Sequence, residues 1–101
     1  MTSFQFQCYE ALKKIPPGKV ISYSGLAKMI GRPLAYRAVG SAMNKNPFAP
    51  KVPCHRVVKS NGDLGGFADD INLKIKRLQK EGVEVANNRI VNFQSVLFKH
   101  I

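Results

Sequence analysis

The stretch "GKVISYSGLAKMIGRPLAYRAVGSAMNK", residues 18–45, contains the pattern that decides the fold. Ser22 or Ser24 is suited to cap a helix, because a serine hydroxyl accepts a hydrogen bond from a free N–H of the first helical turn. Gly31 suits the C-terminal end of that helix, and a proline two residues later prevents its continuation. A further helix is predicted over residues 34–44. The stretch therefore predicts two short helices joined by a tight turn, a helix-turn-helix candidate.

The rest of the chain predicts a domain that is mostly helical with short β elements. Apolar residues at helical spacing predict a helix over residues 4–15, and a later pattern predicts one that is capped by Asp69 or Asp70 and ends at Gly82. Short strands are predicted at Val57-Val58 and in a hairpin around Asn87-Asn88. A length of 101 residues suffices for one domain and not two, so we expect residues 1–101 to form a single domain.

The net charge predicts the kind of partner. Sixteen Lys and Arg residues against six Asp and Glu residues give a formal charge of +10, which is large for this length. Such a charge favours a polyanion, most simply nucleic acid, over a merely basic solvated surface. No apolar run is long enough to span a membrane, and the first residues lack a signal-peptide pattern. We therefore expect an intracellular protein, in the cytoplasm or nucleus, with no membrane partner.

The two cysteines differ in their surroundings. Cys8 lies on the apolar stripe of the first predicted helix, where a packed thiol is expected. Cys54 follows a proline in a loop and precedes His55, which can take up and relay protons, and a neighbouring base favours the reactive thiolate. The spacing alone leaves a reactive thiol and a buried structural cysteine both open. The cysteines and histidines show no paired spacing of the kind that binds zinc, so no metal site is predicted.

Two further features have two readings each. The predicted helix over residues 34–44 is rich in small side chains, which allow close approach either to another helix or to a nucleic-acid groove. Glu81 lies near the C-terminal end of the fourth predicted helix, where the helix dipole disfavours an anion. It either pairs with basic residues of its own helix (Lys74, Arg77 and Lys80) or is a carboxylate that holds a histidine or a water in place.

Three stretches resemble one known family. "RAVGSAMNKNPFAPKVPCHRVV", residues 37–58, resembles the active-site core of the O6-alkylguanine-DNA alkyltransferases, also called methylated-DNA–protein-cysteine methyltransferases. Residues 18–33 resemble the family's helix-turn-helix entry, and "KRLQKEGVEV", residues 76–85, resembles its C-terminal helix and hairpin. The likeness covers nearly the whole chain and implies a winged helix-turn-helix-like alkyltransferase DNA-binding domain.

The resemblance implies direct-reversal DNA repair. The protein would bind double-stranded DNA that contains O6-alkylguanine, with the helix-turn-helix in the minor groove, and would flip the damaged base into a pocket. The alkyl group, typically methyl, would then move irreversibly from O6 to a cysteine sulfur, so that each molecule acts once. The resemblance implies no cofactor, and we expect a monomer.

The resemblance also implies residue roles. Cys54 matches the nucleophile, His55 the residue that takes the thiol proton through a water, and Glu81 the carboxylate that orients the histidine. Asn46 matches an asparagine that braces the active-site loop, and Tyr23 a tyrosine that contacts the flipped nucleotide and assists the leaving guanine. Other positions match DNA-binding or pocket residues: Arg37 as an arginine finger that fills the gap in the base stack, Ser24, Arg32 and Ser60 at DNA contacts, and Val57, Gly65 and Phe67 in the substrate pocket.

Two departures from the family pattern leave alternatives open. Most family members carry an N-terminal domain, in some with a structural zinc, and this chain resembles a single-domain form without it. Ala68 stands where some relatives have a serine that contacts O6. The short form is also typical of alkyltransferase-like proteins, which bind the lesion and recruit nucleotide excision repair without transfer, usually with tryptophan in place of the nucleophile. Because Cys54 is present, the sequence favours transfer over this sensor, and over a third class, a DNA-binding regulator with a redox-sensing thiol.

Overall fold

The computed structural model describes residues 2–65 and 71–99. Their helices and strands confirm a mostly helical domain with short β elements. In chain order they are α1 (Ser3–Leu12), β1 (Ile21–Ser22), α2 (Tyr23–Met29), α3 (Tyr36–Asn44), β2 (Val57–Val58), α4 (Ile71–Lys80), β3 (Val85–Ala86), β4 (Arg89–Ile90) and α5 (Phe93–Val96). The predicted helix cap at Asp69 or Asp70 and the pocket positions Phe67 and Ala68 lie outside the described residues.

Helix α1 is shorter than predicted. Thr2 caps its N-terminus in a capping box with Gln5, as expected for a hydroxyl residue three positions before a glutamine. The helix ends at Leu12 and not at Ile15, because Pro16 has no N–H to continue the hydrogen-bond ladder. The N–H of Ile15 instead donates to the carbonyl of Leu12 in a tighter turn.

The predicted helix-turn-helix is formed by α2 and α3. Of the two candidate caps, Ser22 is the one used, and its Oγ accepts from the N–H of Gly25 at 2.9 Å. Gly31 follows α2 with a φ of +76°, a left-handed conformation that glycine adopts without strain. Helix α3 begins at Tyr36, two residues later than predicted, because residues 32–35 form a separate turn.

A parallel strand pair joins the helix-turn-helix to the Cys54 loop. Ile21 of β1 pairs with Val57 of β2, and Ser22 with Val58. Since Tyr23 directly follows β1 and Lys59 directly follows β2, this pairing places these two residues side by side at one end of the strands, while Cys54 precedes β2 at the other end. The core on which they rest includes α1, α2 and α3, while a second apolar cluster packs α4 against the C-terminal elements.

The wing is the antiparallel pair of β3 and β4. Asn87 and Asn88 connect the two strands with φ values of 53° and 57°, which are the conformations that a type I′ turn requires and that asparagine tolerates. The hairpin predicted at this position is therefore confirmed. Within the described ranges, no helix has the length and apolar character needed to cross a bilayer.

Candidate active site and DNA interface

Cys54 begins a short 3₁₀ turn that ends at Arg56. The N–H of Cys54 donates to the carbonyl of Val52, and the N–H of Arg56 donates to the carbonyl of Pro53, both at 2.9 Å. Cys54 is 6% exposed and packs at the edge of the apolar core cluster as a free, buried cysteine. Among residues 2–65 and 71–99, no cluster of three or more His, Cys, Asp and Glu side chains is placed to hold a metal ion.

His55 and Glu81 are in direct contact. His55 Nε2 lies 2.9 Å from Glu81 Oε2, although the two residues are 26 positions apart in the chain. A carboxylate accepts from an N–H, so this contact favours the tautomer with the proton on Nε2 and a lone pair on Nδ1. The buried Nδ1 atom makes no hydrogen bond to any protein atom in the described part of the chain. The ring is therefore oriented by one nitrogen and retains a proton acceptor at the other.

Arg56 holds the carboxylate in place. Its guanidinium donates from Nε to Glu81 Oε1 at 3.0 Å and also from Nη2 to Oε2, while Nη1 donates to the carbonyl of Ile15 at 2.7 Å. Burial opposes ionisation of Glu81, but the hydrogen bonds from Arg56 and His55 outweigh it and hold the pKa of the carboxyl below its ordinary value. Of the two readings of Glu81, the structure shows the one in which the carboxylate holds a histidine.

His55 is disposed to be neutral near pH 7. Burial disfavours the imidazolium and lowers the pKa of His55 below its ordinary value, although the hydrogen bond to Glu81 acts in the opposite direction. A neutral ring can accept a proton, whereas an imidazolium cannot. The lowered pKa of His55 and the free lone pair on Nδ1 therefore both indicate that the ring can act as a general base.

Asn46 connects the two ends of the loop that leads to Cys54. Its Nδ2 donates to the carbonyl of Val52 at 2.8 Å, and its Oδ1 accepts from the N–H of Phe48 at 2.9 Å. Val52 is also the residue whose carbonyl accepts from the N–H of Cys54. The amide therefore braces the backbone on which the thiol is carried.

Tyr23 is the first residue of α2 and stands between two glycines. A Cβ at position 65 would lie 3.3 Å from the Tyr23 hydroxyl oxygen, and one at position 40 would lie 3.9 Å from its ring. The absent side chain of Gly65 thus leaves room for the tyrosine, whereas a Cβ at position 40 would make only an ordinary van der Waals contact. Burial, and next the proximity of Cys54, raises the pKa of Tyr23 above its ordinary value. Its hydroxyl is consequently protonated and able to donate a hydrogen bond.

A cavity of about 420 Å³ opens beside Tyr23. Four of the predicted DNA-binding residues line it: Tyr23, Ser24, Arg37 and Ser60. It is completed by four residues to which the sequence assigned no role: Tyr36, Gly40, Lys59 and Asn61. Gly40 belongs to the small-residue helix α3, so part of that helix faces open space as well as the core. The cavity is large enough for a flat base and is bordered by cationic side chains.

The structure does not bring every predicted site residue to this cavity. Arg32 lies exposed in the turn after α2, away from the lining residues. Val57 is wholly buried in the core, and its carbonyl accepts from Lys74. Cys54 is likewise not one of the described lining residues.

Lys74 is a buried residue to which the sequence reasoning assigned no role beyond a possible partner of Glu81. It is 1% exposed, and its Nζ donates to the carbonyls of Val57 and Leu64, both at 2.7 Å. Burial lowers the pKa of Lys74 to about 8. The lysine thus ties α4 to both ends of the segment between β2 and Gly65. The sequence contains a signal for this burial, because position 74 falls on the apolar stripe formed by Ile71, Ile75 and Leu78.

Lys74→Met is therefore expected to destabilise the protein. Methionine has a similar length but no donor, so the buried carbonyls of Val57 and Leu64 would lose their hydrogen bonds. The free energy of unfolding should fall by about 1–3 kcal/mol, the cost of a buried polar group left without a partner. Urea unfolding measures this change. Lys76→Met, an exposed change on the same helix, is the matched control, and an equal effect of both substitutions would contradict the assignment.

Comparison with known proteins supplies the family. Residues 3–83 match the sequence model of the 6-O-methylguanine DNA methyltransferase DNA-binding domain. The chain belongs to this family. A methylated-DNA–protein-cysteine methyltransferase of Methanosarcina acetivorans is 49% identical over 81 residues, which are 80% of this chain and 52% of that protein. The chain thus spans about half the length of the curated relatives that it matches.

Two solved structures of this family show different extents of likeness. A Mycobacterium tuberculosis OGT in complex with DNA has a TM-score of 0.78 at 46% identity, covering 80% of this chain and 50% of that one. Schizosaccharomyces pombe Atl1, in complex with damaged DNA containing O6-carboxymethylguanine, has a TM-score of 0.89 at 31% identity, covering 99% and 98% respectively. Both confirm the alkyltransferase fold. The first is closer in sequence, and the second matches over the full extent of both chains.

Proposed function

We propose that the protein repairs DNA by irreversible transfer of an alkyl group, typically methyl, from O6 of guanine to Cys54. The observation that carries the proposal is the Cys54 thiol next to a histidine whose Nε2 is held by Glu81 and whose Nδ1 retains a free lone pair. Both family membership and the names of the relatives support it. Each molecule acts once, because the thioether that forms has no route back to a thiol.

The proposed reaction balances as a single displacement. The Cys54 thiol gives its proton to His55 Nδ1 through a water, and the resulting thiolate attacks the alkyl carbon. A carbon–sulfur bond forms as the carbon–oxygen bond breaks, and the electron pair of that bond remains on the guanine. Tyr23 offsets the developing charge by donating its hydroxyl hydrogen toward the base. The guanine anion then takes up a proton from solvent, and His55 releases the thiol proton to solvent. The products are an S-alkylcysteine and an unmodified guanine, and the reaction requires no cofactor.

The partner in this proposal is double-stranded DNA that contains O6-alkylguanine. Base flipping costs a few kcal/mol, and a side chain that occupies the vacated space recovers part of this cost. Arg37, an exposed residue of α3 that lines the cavity, is the proposed finger. We expect the chain to act as a monomer inside the cell, in the cytoplasm or nucleus, where its substrate lies.

A second candidate function is lesion sensing without transfer. The full-length likeness to Atl1 favours it, since that protein is bound to damaged DNA. In this reading the cavity binds the lesion and recruits nucleotide excision repair. The intact set of Cys54, His55 and Glu81 favours transfer, because a sensor has no need of an oriented general base beside a thiol.

One experiment tests the two functions against each other. The protein is incubated with a duplex that contains O6-methylguanine and is then digested, and the peptides with Cys54 and Cys8 are weighed. We expect the Cys54 peptide to gain one methyl group while the Cys8 peptide remains unchanged, because Cys8 is wholly buried and burial raises its pKa. Tight lesion binding with an unmodified Cys54 peptide would exclude transfer and support the sensor.

Arg37→Ala is expected to separate DNA engagement from chemistry. Loss of the finger removes the group that compensates for the flipped base, so the reaction rate with lesion duplex should fall by about tenfold or more, within the few kcal/mol that unstacking costs. The rate with free O6-benzylguanine should fall far less, since no base is flipped from that substrate. Single-turnover rates on both substrates measure the ratio. Lys45→Ala, an exposed change just after the same helix, is the control. Equal losses on the two substrates would argue against the finger.

A further inference from the structure

Two large apolar side chains are exposed near the proposed finger. Leu34 is 89% exposed and Tyr36 is 44% exposed. Single exposed apolar residues are common on protein surfaces and need no explanation. These two differ because Leu34 lies in the link between α2 and α3, Tyr36 begins α3 two positions later, and Tyr36 lines the same cavity as Arg37.

The backbone presents Leu34 on a defined turn. The N–H of Ala35 donates to the carbonyl of Arg32 at 2.9 Å, which makes Pro33 and Leu34 the two corner residues of the turn. Proline suits the first corner because its φ is already set. The leucine therefore stands at the tip of a stiff loop, and holding it there costs little additional conformational entropy.

Tyr36 and Arg37 lie close together at the rim of the cavity. The guanidinium carbon of Arg37 lies 6.0 Å from the centre of the Tyr36 ring, at the outer limit of a cation–π contact. A guanidinium group and an aromatic ring are both flat. Flat surfaces of this kind stack on nucleobases, and each such contact typically contributes about 1–3 kcal/mol.

The charge around these residues indicates which partner covers them. Between Glu10 and Asp63 the sequence contains no acidic residue, and the turn is flanked by Lys28, Arg32 and Arg37. A protein partner with an ordinary mixed surface would bring cations as well as anions against these three basic residues. A nucleic acid offers both the phosphates that such cations bind and apolar base faces between them.

We infer that Leu34 and Tyr36 form an apolar wedge that packs against the base pairs flanking the flipped guanine. This inference rests on the proposed function. Apolar side chains that enter DNA in this way partly unstack the neighbouring bases and repay that cost with buried surface. The wedge supplies a contact that Arg37 alone does not, since the arginine fills one gap and the wedge holds the adjacent bases apart.

The test measures DNA affinity in a Cys54→Ser background, so that transfer does not consume the lesion. The probe is a duplex with O6-methylguanine and a neighbouring 2-aminopurine, whose fluorescence rises when it is unstacked. Leu34→Ala is expected to weaken binding about tenfold, the equivalent of burying one leucine side chain. Tyr36→Ala should act similarly, and Tyr36→Phe should retain affinity because the ring is kept. Both alanine variants should give a smaller 2-aminopurine signal at saturation.

Two controls make the result specific. Phe6→Ala removes an exposed apolar side chain from α1, outside this cavity, and should leave affinity and fluorescence unchanged. The wedge is uncharged, so Leu34→Ala should lower affinity equally at every salt concentration. Arg32→Ala should instead reduce the slope of log affinity against log salt by about one.

The outcomes separate the wedge from the proposed function. If the Cys54→Ser parent fails to prefer the lesion duplex over undamaged DNA, both the proposed function and the wedge are overturned. If the parent shows that preference and Leu34→Ala and Tyr36→Ala bind like it, the wedge alone is overturned and another partner covers this surface. A loss of affinity in Leu34→Ala with an altered salt slope would also overturn it, because phosphate contacts would then have changed.

Discussion

Cys54→Ser is expected to abolish alkyl transfer. Serine fits the 3₁₀ turn without steric change, but its hydroxyl is a weak nucleophile and His55 is too weak a base to deprotonate it fully. A thiol ordinarily ionises near pH 8.5, within the range in which a neighbouring imidazole can take its proton. The measurement is the mass of the Cys54-containing peptide after exposure to O6-methylguanine duplex, together with loss of the methyl group from the DNA.

The same Cys54→Ser variant shows whether lesion binding persists when transfer is removed. With the nucleophile removed, the cavity beside Tyr23 and the finger at Arg37 remain, so lesion binding should persist and become long-lived. The protein would then resemble a sensor in behaviour, as the full-length likeness to Atl1 suggests. Cys8→Ala is the control, since it removes the other thiol and should leave transfer intact. Any transfer by Cys54→Ser would refute the assignment of the nucleophile.

His55→Gln is expected to slow transfer at pH 7 by about 10²–10⁴-fold, the usual contribution of a general base. Glutamine keeps a polar group near Glu81 but has no nitrogen that accepts a proton. The rate of the variant should rise with pH, because hydroxide then removes the thiol proton in place of the histidine. Single-turnover rates between pH 5 and 9 measure this profile.

The transfer rate of the wild-type protein should depend on pH differently from that of His55→Gln. The base must be neutral to act, and burial lowers the pKa of His55, so the rate should hold below the ordinary histidine range before it declines. Glu81→Gln is the matched companion: its amide oxygen can still accept from His55 Nε2, so the loss should be smaller than that of His55→Gln. A His55→Gln variant with an unchanged rate at pH 7 would contradict the proposed role.

Local structure was predictable at positions where a backbone conformation or an unpaired N–H favours one type of residue. The Ser22 cap, the left-handed Gly31 and the Asn87-Asn88 turn each depend on a backbone conformation or an unpaired N–H within a few residues. Helix α1 was predicted too long for a related reason, since its periodicity continues past the position where Pro16 stops the hydrogen-bond ladder. The start of α3 was predicted two residues too early, because residues 32–35 form a separate turn.

The residues of the candidate site were predictable only in part. The motif around Cys54 and the family resemblance assigned His55 and Glu81 to one mechanism, but spacing alone left the thiol and the carboxylate each with two readings. Arg56 escaped notice, because nothing in its sequence neighbours indicates that it reaches Glu81 and the carbonyl of Ile15. Lys74 was detectable in principle as a charge on an apolar stripe.

The sequence by itself determined the elements, the positive charge and the identity of the reactive groups, since these follow from local backbone preferences and side-chain chemistry. Only the tertiary structure decided which of those groups meet. The parallel pairing of Ile21 with Val57 brings Tyr23 beside Lys59 and Ser60 at one cavity, and α4 carries Glu81 to His55. Such contacts join residues far apart in the chain, and packing sets their geometry. The same packing leaves Leu34 and Tyr36 exposed beside Arg37, which no periodicity in the sequence indicates.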